Sequence, residues 1–319
     1  MKILANDGIS QDGIDKLQAA GFYISTEKVE QDKLVETINK EGYSVLLVRS
    51  ATTARKELID ACPNLKFIGR GGVGMDNIDV EYARSKGIRV ENTPASSSQS
   101  VAELAMASLF SLARSTFDSY KEMTVNGNTN FNALKKKYGK GVELRGKTLL
   151  IIGFGRIGRS LASYALGIGM KIIAIDQITG TAEIPIYIEG IGEVMSKIEV
   201  TNNLNEVWGK ADFISIHVPK QADGKAVIGK NEFQQMKKGV RLINLARGGV
   251  IDEDDLLEAI QEGKVAAAAI DVFENEPTPK SELLTCDMIA CTPHIGAATN
   301  EAQDRIGVEM ADKIIEAFK

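Results

Sequence analysis

Short apolar runs rich in valine and isoleucine alternate along this chain with longer stretches in which apolar residues return every three or four positions. Over the first hundred residues the runs fall at 2–5, 45–48, 66–69 and 88–90, and the alternation predicts parallel strands joined by helical crossovers. Thr93-Pro94 then breaks the pattern, 95–100 is small and polar, and helical spacing resumes over 101–116. A domain crossing is therefore expected near residue 97. Beyond it, runs at 148–152, 171–176, 213–217, 241–244, 266–270 and 288–291 supply a doubly wound sheet of six or more strands. The last stretch, 299–318, has a capping threonine, an early Glu301 and apolar Ile306, Met310, Ile314 and Phe318, the pattern of an amphipathic helix. Pattern alone does not say where that helix docks.

Composition narrows the function classes. At 319 residues, 44% hydrophobic and 25% charged, the chain is globular and long enough for two domains. A formal net charge of -5, with no basic run longer than the three lysines 135–137, argues against a nucleic-acid backbone or an anionic membrane as partner. The longest apolar stretch, 101–113, is too short to span a bilayer and contains Glu103. The first residues open a strand and lack a signal peptide's cleavage site, so the expected location is the cytoplasm. Cys62, Cys286 and Cys291, with only two histidines in the chain, form no metal-ligand spacing; reduced thiols and no metal are expected.

The densest chemical signal lies at 148–176. Thr148 to Ile152 is a buried strand by composition, Gly153-Phe-Gly155-Arg-Ile-Gly158 is a glycine turn, and Leu161, Ala162, Ala165 and Leu166 recur at helical spacing. Gly153 permits the tight turn, Gly155 lets backbone N–H groups approach a pyrophosphate at the positive helix end, and Gly158 lets helix and strand pack closely. Asp176, at the end of the next apolar run, suits the adenosine ribose hydroxyls and repels a 2′-phosphate, which selects NAD over NADP.

Three later strand ends carry polar groups suited to hydride transfer on a hydroxy acid. Asn244-Leu-Ala-Arg247-Gly-Gly249 presents a planar guanidinium for a carboxylate and a carbonyl. Asp271-Val-Phe-Glu-Asn-Glu276-Pro277 follows the next strand and Thr292-Pro-His294-Ile-Gly296 the one after. His294 is the natural proton-exchanging group, and Glu276 is the carboxylate expected to hold its ring and stabilise the imidazolium. His217 also ends a strand but has no acidic motif beside it, so it reads as a packed residue next to the cofactor.

Together these four motifs, in this order and spacing, resemble the D-isomer-specific 2-hydroxyacid dehydrogenases, and the likeness covers nearly the whole chain. The resemblance implies an α/β architecture of two doubly wound domains: a Rossmann-type NAD-binding domain (98–296) inserted into a discontinuous, flavodoxin-like substrate domain (1–97 and 297–319). The terminal helix would then return to the N-terminal block. Arg247, Glu276 and His294 would be the catalytic residues. NAD would lie along Gly153, Gly155, Arg156, Ile157, Gly158, Asp176, His217, Val218, Pro219, Leu245, Ala246, Gly296 and Ala297, with Asp271 on the nicotinamide side. Closure of the domains over the substrate and a homodimer formed through 99–141 are further expectations of the family likeness.

Within that family, Leu-Leu-Val-Arg49-Ser-Ala-Thr, Ile-Gly-Arg70-Gly-Gly-Val-Gly-Met-Asp-Asn77 and Asn92-Thr-Pro94 followed by Ser100-Val-Ala-Glu103 resemble members that oxidise 3-phospho-D-glycerate to 3-phosphohydroxypyruvate, the entry to L-serine biosynthesis. A small phosphorylated 2-hydroxy acid is therefore the expected partner. Gly71 to Gly74 would expose N–H groups as a nest for its carboxylate, Arg49 and Arg70 would supply charge for its phosphate, and Ser50, Gly72, Val73 and Gly74 would line the site. The chain departs from close relatives in three places. Lysines 135–137 stand where relatives carry arginines, either as phosphate contacts or as a solvated loop; Val73 replaces a threonine; and 177–203 is unusually long, with Ile188, Ile191, Met195 and Ile198 spaced as an extra helix face. With Lys319 as the last residue, feedback by serine through a C-terminal domain is not expected. The alternative readings are the same chemistry on hydroxypyruvate, glyoxylate or another small 2-oxo acid, and an NAD-sensing interaction protein, which the Arg247, Glu276 and His294 set disfavours.

Overall fold

The computed structural model describes residues 1–221 and 223–319. The chain divides into two compact units, Met1–Ser100 with Ala297–Lys319, and Val101–Gly296. Among the described residues no helix is long and apolar enough to cross a membrane.

The first unit runs β1 (Lys2–Ala5), α1 (Gln11–Ala19), β2 (Tyr23–Ser25), α2 (Leu34–Glu41), β3 (Val45–Val48), α3 (Lys56–Ala61), β4 (Phe67–Arg70), α4 (Val80–Ser85) and β5 (Arg89–Asn92). Its parallel sheet has the order β2-β1-β3-β4-β5, the flavodoxin-like arrangement. β3 is buried along its whole length, which is why it reads as an unbroken apolar run. β2 left no such signal: it is three residues long, at the sheet edge, with Tyr23 exposed. The chain then enters α5 (Ser98–Arg114) and comes back to this unit as α11 (Asn300–Phe318), capped by Thr299. α11 docks on α1 backbone to backbone. A Cβ on Gly13 would stand 2.8 Å from the Gly307 carbonyl oxygen, and one on Gly307 would stand 2.1 Å from Ser10 Oγ. Phe318 closes the seam against Phe22 and Phe67.

The second unit continues through α6 (Thr116–Tyr138), β6 (Thr148–Ile152), α7 (Arg156–Gly167), β7 (Lys171–Ile175), β8 (Gly180–Ile188), β9 (Gly192–Thr201), β10 (Phe213–Ile216), α8 (Lys230–Gln235), β11 (Val240–Asn244), α9 (Glu253–Gln261), β12 (Val265–Ile270), α10 (Ser281–Thr285) and β13 (Ile289–Cys291). The sheet order is β13-β12-β11-β10-β6-β7-β9-β8, parallel except for β8 against β9. The strand order reverses between β6 and β10. That reversal opens a crevice at the carboxyl ends of the strands, the place where such sheets bind ligands.

The segment 177–203 is not the helix face its spacing suggests but a β-hairpin, β8 and β9. Ala182, Ile184, Ile198 and Val200 are buried in one core with Leu161 and Ala165 of α7, while Glu183, Lys197 and Glu199 alternate outward, a period of two that a helix cannot satisfy. Pro185 removes a helix donor, and Gly190 and Gly192, both at positive φ, make the turn. β9 pairs with β7 only at Ala174↔Val200 and Ile175↔Thr201, so the far end, with Tyr187 and Ile191 exposed, carries no neighbour strand beyond its own hairpin.

The α1–α11 seam gives a test of opposite signs. Gly13→Ala would stabilise α1 by about 1 kcal/mol through helix propensity alone, but overpacking against Gly307 is expected to destabilise the protein by about 1–3 kcal/mol instead. A lower urea midpoint is the expected result; a raised one would show that the two helices are not in backbone contact in solution.

Candidate active site

The turn after β6 is built for close backbone approach. Gly153 has φ 93°, and a Cβ there would meet the His217 carbonyl oxygen at 2.5 Å, because the ends of β6 and β10 touch at the crevice, where His217 N–H also donates to Ile152 O at 2.7 Å. A Cβ on Gly158 would stand 2.3 Å from the Gly153 carbonyl oxygen, so only glycine lets α7 start this close to the strand. Gly155 and Arg156 are exposed, a Cβ on Gly155 would meet nothing within 4 Å, and no side chain caps α7. The first N–H groups of α7 are thus presented outward with the positive end of the helix dipole, which fits a dinucleotide pyrophosphate. Asp176 follows β7, and its Oδ2 accepts the Phe154 N–H at 2.7 Å, which places the carboxylate at the same turn and leaves lone pairs for ribose hydroxyls.

The chemistry-bearing loops follow β11, β12 and β13. Asn244, buried at the end of β11, donates from Nδ2 to Arg247 O at 3.0 Å and accepts the Ala246 N–H at 3.1 Å, clamping the Leu245–Ala246–Arg247 turn. Arg247 is half-buried and donates from one guanidinium nitrogen to Ala246 O at 2.6 Å. The turn lies hard against the next loop: a Cβ on Gly248 would be 1.9 Å from the Phe273 carbonyl oxygen. On that loop Glu276 accepts the Phe273 N–H at Oε1 (3.0 Å) and bonds His294 Nδ1 at Oε2 (2.8 Å). A carboxylate only accepts, so Nδ1 carries the hydrogen and Nε2 is left to exchange a proton. His294 has φ 54°, a left-handed conformation uncommon outside glycine. Asp271, buried at the end of β12, holds this loop by accepting Thr292 Oγ1–H (2.6 Å), Ile295 N–H (2.8 Å) and Gly296 N–H (2.9 Å).

Arg247, Glu276 and His294 therefore share one edge of the second unit; Gly153, Gly155, Asp176, His217, Val218, Pro219, Leu245, Ala246, Asp271 and Gly296 fall at the carboxyl ends of its strands or in the turns that follow, and Arg156, Ile157 and Gly158 open α7. Ala297 is the first residue of the return to the first unit. There, Arg49 directly follows β3 and Arg70 ends β4, with Val48 in register with Arg70, so the two guanidinium-bearing residues share one sheet edge. The expected nest is narrower than 71–74. Gly71 N–H donates to Val48 O and Gly72 N–H to Thr93 Oγ1 (2.8 Å), which leaves the N–H groups of Val73 and Gly74. Ser50, next to Arg49 in the chain, is exposed. Of the three lysines, Lys137 pairs with Glu122 across the kink at Asn130 that divides α6 into two arms, while Lys135 and Lys136 are exposed.

Sequence reading missed the acids that organise the loops, since an aspartate after a strand looks like any turn residue. Asp7 follows β1 and accepts Arg49 N–H (2.6 Å), Thr52 N–H (3.0 Å) and Thr52 Oγ1–H (2.7 Å). Burial alone would raise its carboxyl, but these bonds and the Lys28 ammonium outweigh burial and hold it below its ordinary value. Glu253, at the start of α9, is a second such acid.

His217 is the reverse case. It is half-buried, its Nε2 lies 2.9 Å from Ser215 Oγ, its Nδ1 is buried without a hydrogen-bond partner among the described residues, and burial pushes it down from 6.5 to about 4. It is neutral near pH 7 and unsuited to proton exchange there. In the unfolded chain the ring takes a proton below about pH 6.5; the folded chain refuses it until about pH 4. Stability is therefore complete above that window and is lost as pH falls through it. His217→Gln is expected to remove about 3 kcal/mol of the acid destabilisation between pH 7 and 4, measured by urea unfolding; an unchanged pH dependence would show that another group is responsible.

Residues 106–296 match the family model described as the NAD-binding domain of D-isomer-specific 2-hydroxyacid dehydrogenases. The chain is 42% identical over 297 residues to a hydroxypyruvate reductase of Thermotoga maritima, a match covering 92% of this chain and 90% of the relative. It is 40% identical over 319 residues to a D-3-phosphoglycerate dehydrogenase of Methanocaldococcus jannaschii, covering 100% of this chain but 58% of the relative, so it spans less than two thirds of that protein's length. A solved glyoxylate reductase from Paecilomyes thermophila has the same fold at TM-score 0.81 and 28% identity, over 99% of this chain and 94% of that one. With the glycine turn, the strand-end loops and these relatives in agreement, the chain belongs to the D-isomer-specific 2-hydroxyacid dehydrogenase family and carries that family's nicotinamide-dinucleotide-binding fold.

Proposed function

We propose that this protein is an NAD-dependent dehydrogenase that interconverts 3-phospho-D-glycerate and 3-phosphohydroxypyruvate, in L-serine biosynthesis in the cytoplasm. The observation that carries the dehydrogenase reading is the 2.8 Å bond between Glu276 and His294, with the Glu276 loop also packed on the Arg247 turn. Bound NAD supplies the hydride acceptor. In oxidation His294 takes the hydroxyl proton at Nε2, Glu276 stabilises the resulting imidazolium, and Arg247 binds the carboxylate and polarises the developing carbonyl; in reduction the imidazolium returns the proton. The carboxylate of Asp176 at the glycine turn favours NAD over NADP.

Arg49 and Arg70, side by side at one sheet edge, support a phosphorylated substrate, with Val73 and Gly74 N–H groups for its carboxylate. The second reading, hydroxypyruvate as the oxo acid, is favoured by the Thermotoga maritima relative. NADH oxidation with 3-phosphohydroxypyruvate, hydroxypyruvate, glyoxylate and pyruvate separates the two. The expected result is a kcat/KM advantage of at least about 100-fold for the phosphorylated acid, reduced about tenfold or more in Arg49→Ala, as loss of a charge-assisted phosphate contact requires. Preference for an unphosphorylated acid would retain the chemistry and reject this substrate; no turnover with any of them would favour an NAD-sensing protein.

We also propose a homodimer through α5 and α6, whose exposed Phe110, Tyr120, Met123, Val125 and Phe131 form more apolar surface than a free helix pair ordinarily carries. Sedimentation equilibrium is expected to give twice the chain mass, and a monomer at micromolar concentration would reject this interface.

A further inference from the structure

The second unit contains a buried acid that the proposed chemistry does not use. Glu253 is the first residue of α9 and only 5% exposed, yet the neighbouring Asp252 already caps that helix by accepting the Asp254 and Asp255 N–H groups. The Glu253 side chain points away from this task. Its Oε1 accepts the Glu274 N–H at 2.8 Å, and its Oε2 is buried without a hydrogen-bond partner among the described residues. Taking a carboxyl out of water without a partner for one oxygen is unfavourable, so a role elsewhere is required to explain why it is kept inside.

Glu274 is two residues before Glu276. Just before them, Phe273 donates its N–H to Glu276 Oε1, and Phe273 O is the atom that touches Gly248 of the Arg247 turn. The line of contacts therefore runs from Glu253 to the Glu274 N–H, through the Phe273 peptide to Glu276, and from Glu276 to His294 Nδ1. We infer that Glu253 is a positioning residue, which fixes the Glu274 peptide and so holds Glu276 at the distance and angle its bond to His294 needs. This inference rests on the reading of Arg247, Glu276 and His294 as the reacting set. It extends that set inward to a residue that touches neither substrate nor cofactor.

Burial raises the Glu253 carboxyl above its ordinary value; the Glu274 N–H and Lys280 oppose this, and the charges of Glu274 and Asp254 add to it. The acid and the carboxylate both keep an acceptor oxygen on the Glu274 N–H, so the positioning role needs an acceptor and not a charge. Glutamine therefore meets the requirement and alanine does not.

The test compares Glu253→Ala with Glu253→Gln in the full chain, using the 2-oxo acid that wild type reduces fastest. Glu253→Ala is expected to lower kcat about 10–100-fold, with NADH affinity within about threefold, because displacing the base by a fraction of an ångström costs reactive geometry and not cofactor contacts. The limb of its pH–kcat profile that depends on His294 should move as well, a change that a merely stabilising residue would not produce. Glu253→Gln is expected to melt at a lower temperature, since it buries an unpaired NH2, yet to retain kcat within about threefold and the wild-type pH profile. Wild-type kcat and pH profile in Glu253→Ala would overturn the inference, as would equal loss in both variants. If the alanine variant does not fold, amide exchange in the unmodified protein decides: slow exchange at Glu274 supports the bond and fast exchange overturns it. His294→Ala is the control for the underlying reading. Full activity there would reject the reacting set itself, whereas an inactive His294→Ala beside a normal Glu253→Ala would reject only the positioning role.

Discussion

A parallel sheet ends in unmet hydrogen bonds. At the carboxyl edge the ladder stops, the loops turn over one another, and N–H groups that had a neighbouring strand as acceptor no longer have one; leaving such a group buried and unpaired costs about 1–3 kcal/mol each. This chain meets the need with carboxylates. Asp7 accepts two N–H groups of the turn after β3, Asp176 accepts one from the glycine turn, Asp271 accepts two from the His294 loop, and Glu253 accepts one from the Glu276 loop. The loops that carry Arg49, the glycine turn, Arg247, Glu276 and His294 are each held by one of these acids or by Asn244.

The second constraint is steric, and it acts at the same edge. Where loops are pinned this tightly, backbones touch, and the contacts fall on glycine: Gly153 against the His217 carbonyl, Gly158 against Gly153, Gly248 against Phe273. The glycines have different work. Gly153 and Gly158 shape the turn that fits a dinucleotide, whereas Gly248 brings the Arg247 turn onto the loop that carries Glu276. Rigid elements thus present mobile-looking loop residues in fixed positions, which is what proton and hydride transfer at a single carbon demands.

Charge follows from this arrangement. In each unit the acids at the strand ends are engaged by N–H donors, and Asp7 is in addition neutralised by Lys28. Positive character at the strand ends comes from the uncapped N-terminus of α7 in the second unit, and from the half-buried Arg49 and Arg70 in the first. The chain as a whole is negative, at -5, so this positive character is local.

The α/β class, the alternation of strands and helices, the glycine turn and the family itself were legible in the chain, because each depends on local periodicity or on a contiguous motif. Burial on both faces makes β3 a continuous apolar run, and a cap and a stripe announce α11. Local spacing failed where two structures share it: Ile188, Ile191, Met195 and Ile198 sit at helical intervals, yet the neighbouring strand β7 and the turn glycines make 180–201 a hairpin. It also failed for β2, too short and exposed to leave a pattern, and for Gly72, whose N–H is taken by Thr93 from 21 residues away. The sequence by itself thus determined which residue types stand at each strand end. Only the tertiary structure decided the bonds that no motif announces, Glu253 to Glu274 across 21 residues and Thr93 to Gly72 across 21, and set the 2.8 Å geometry of the expected Glu276–His294 pair, because a hydrogen bond between distant loops depends on how strands are ordered in the sheet, and no local propensity records that order.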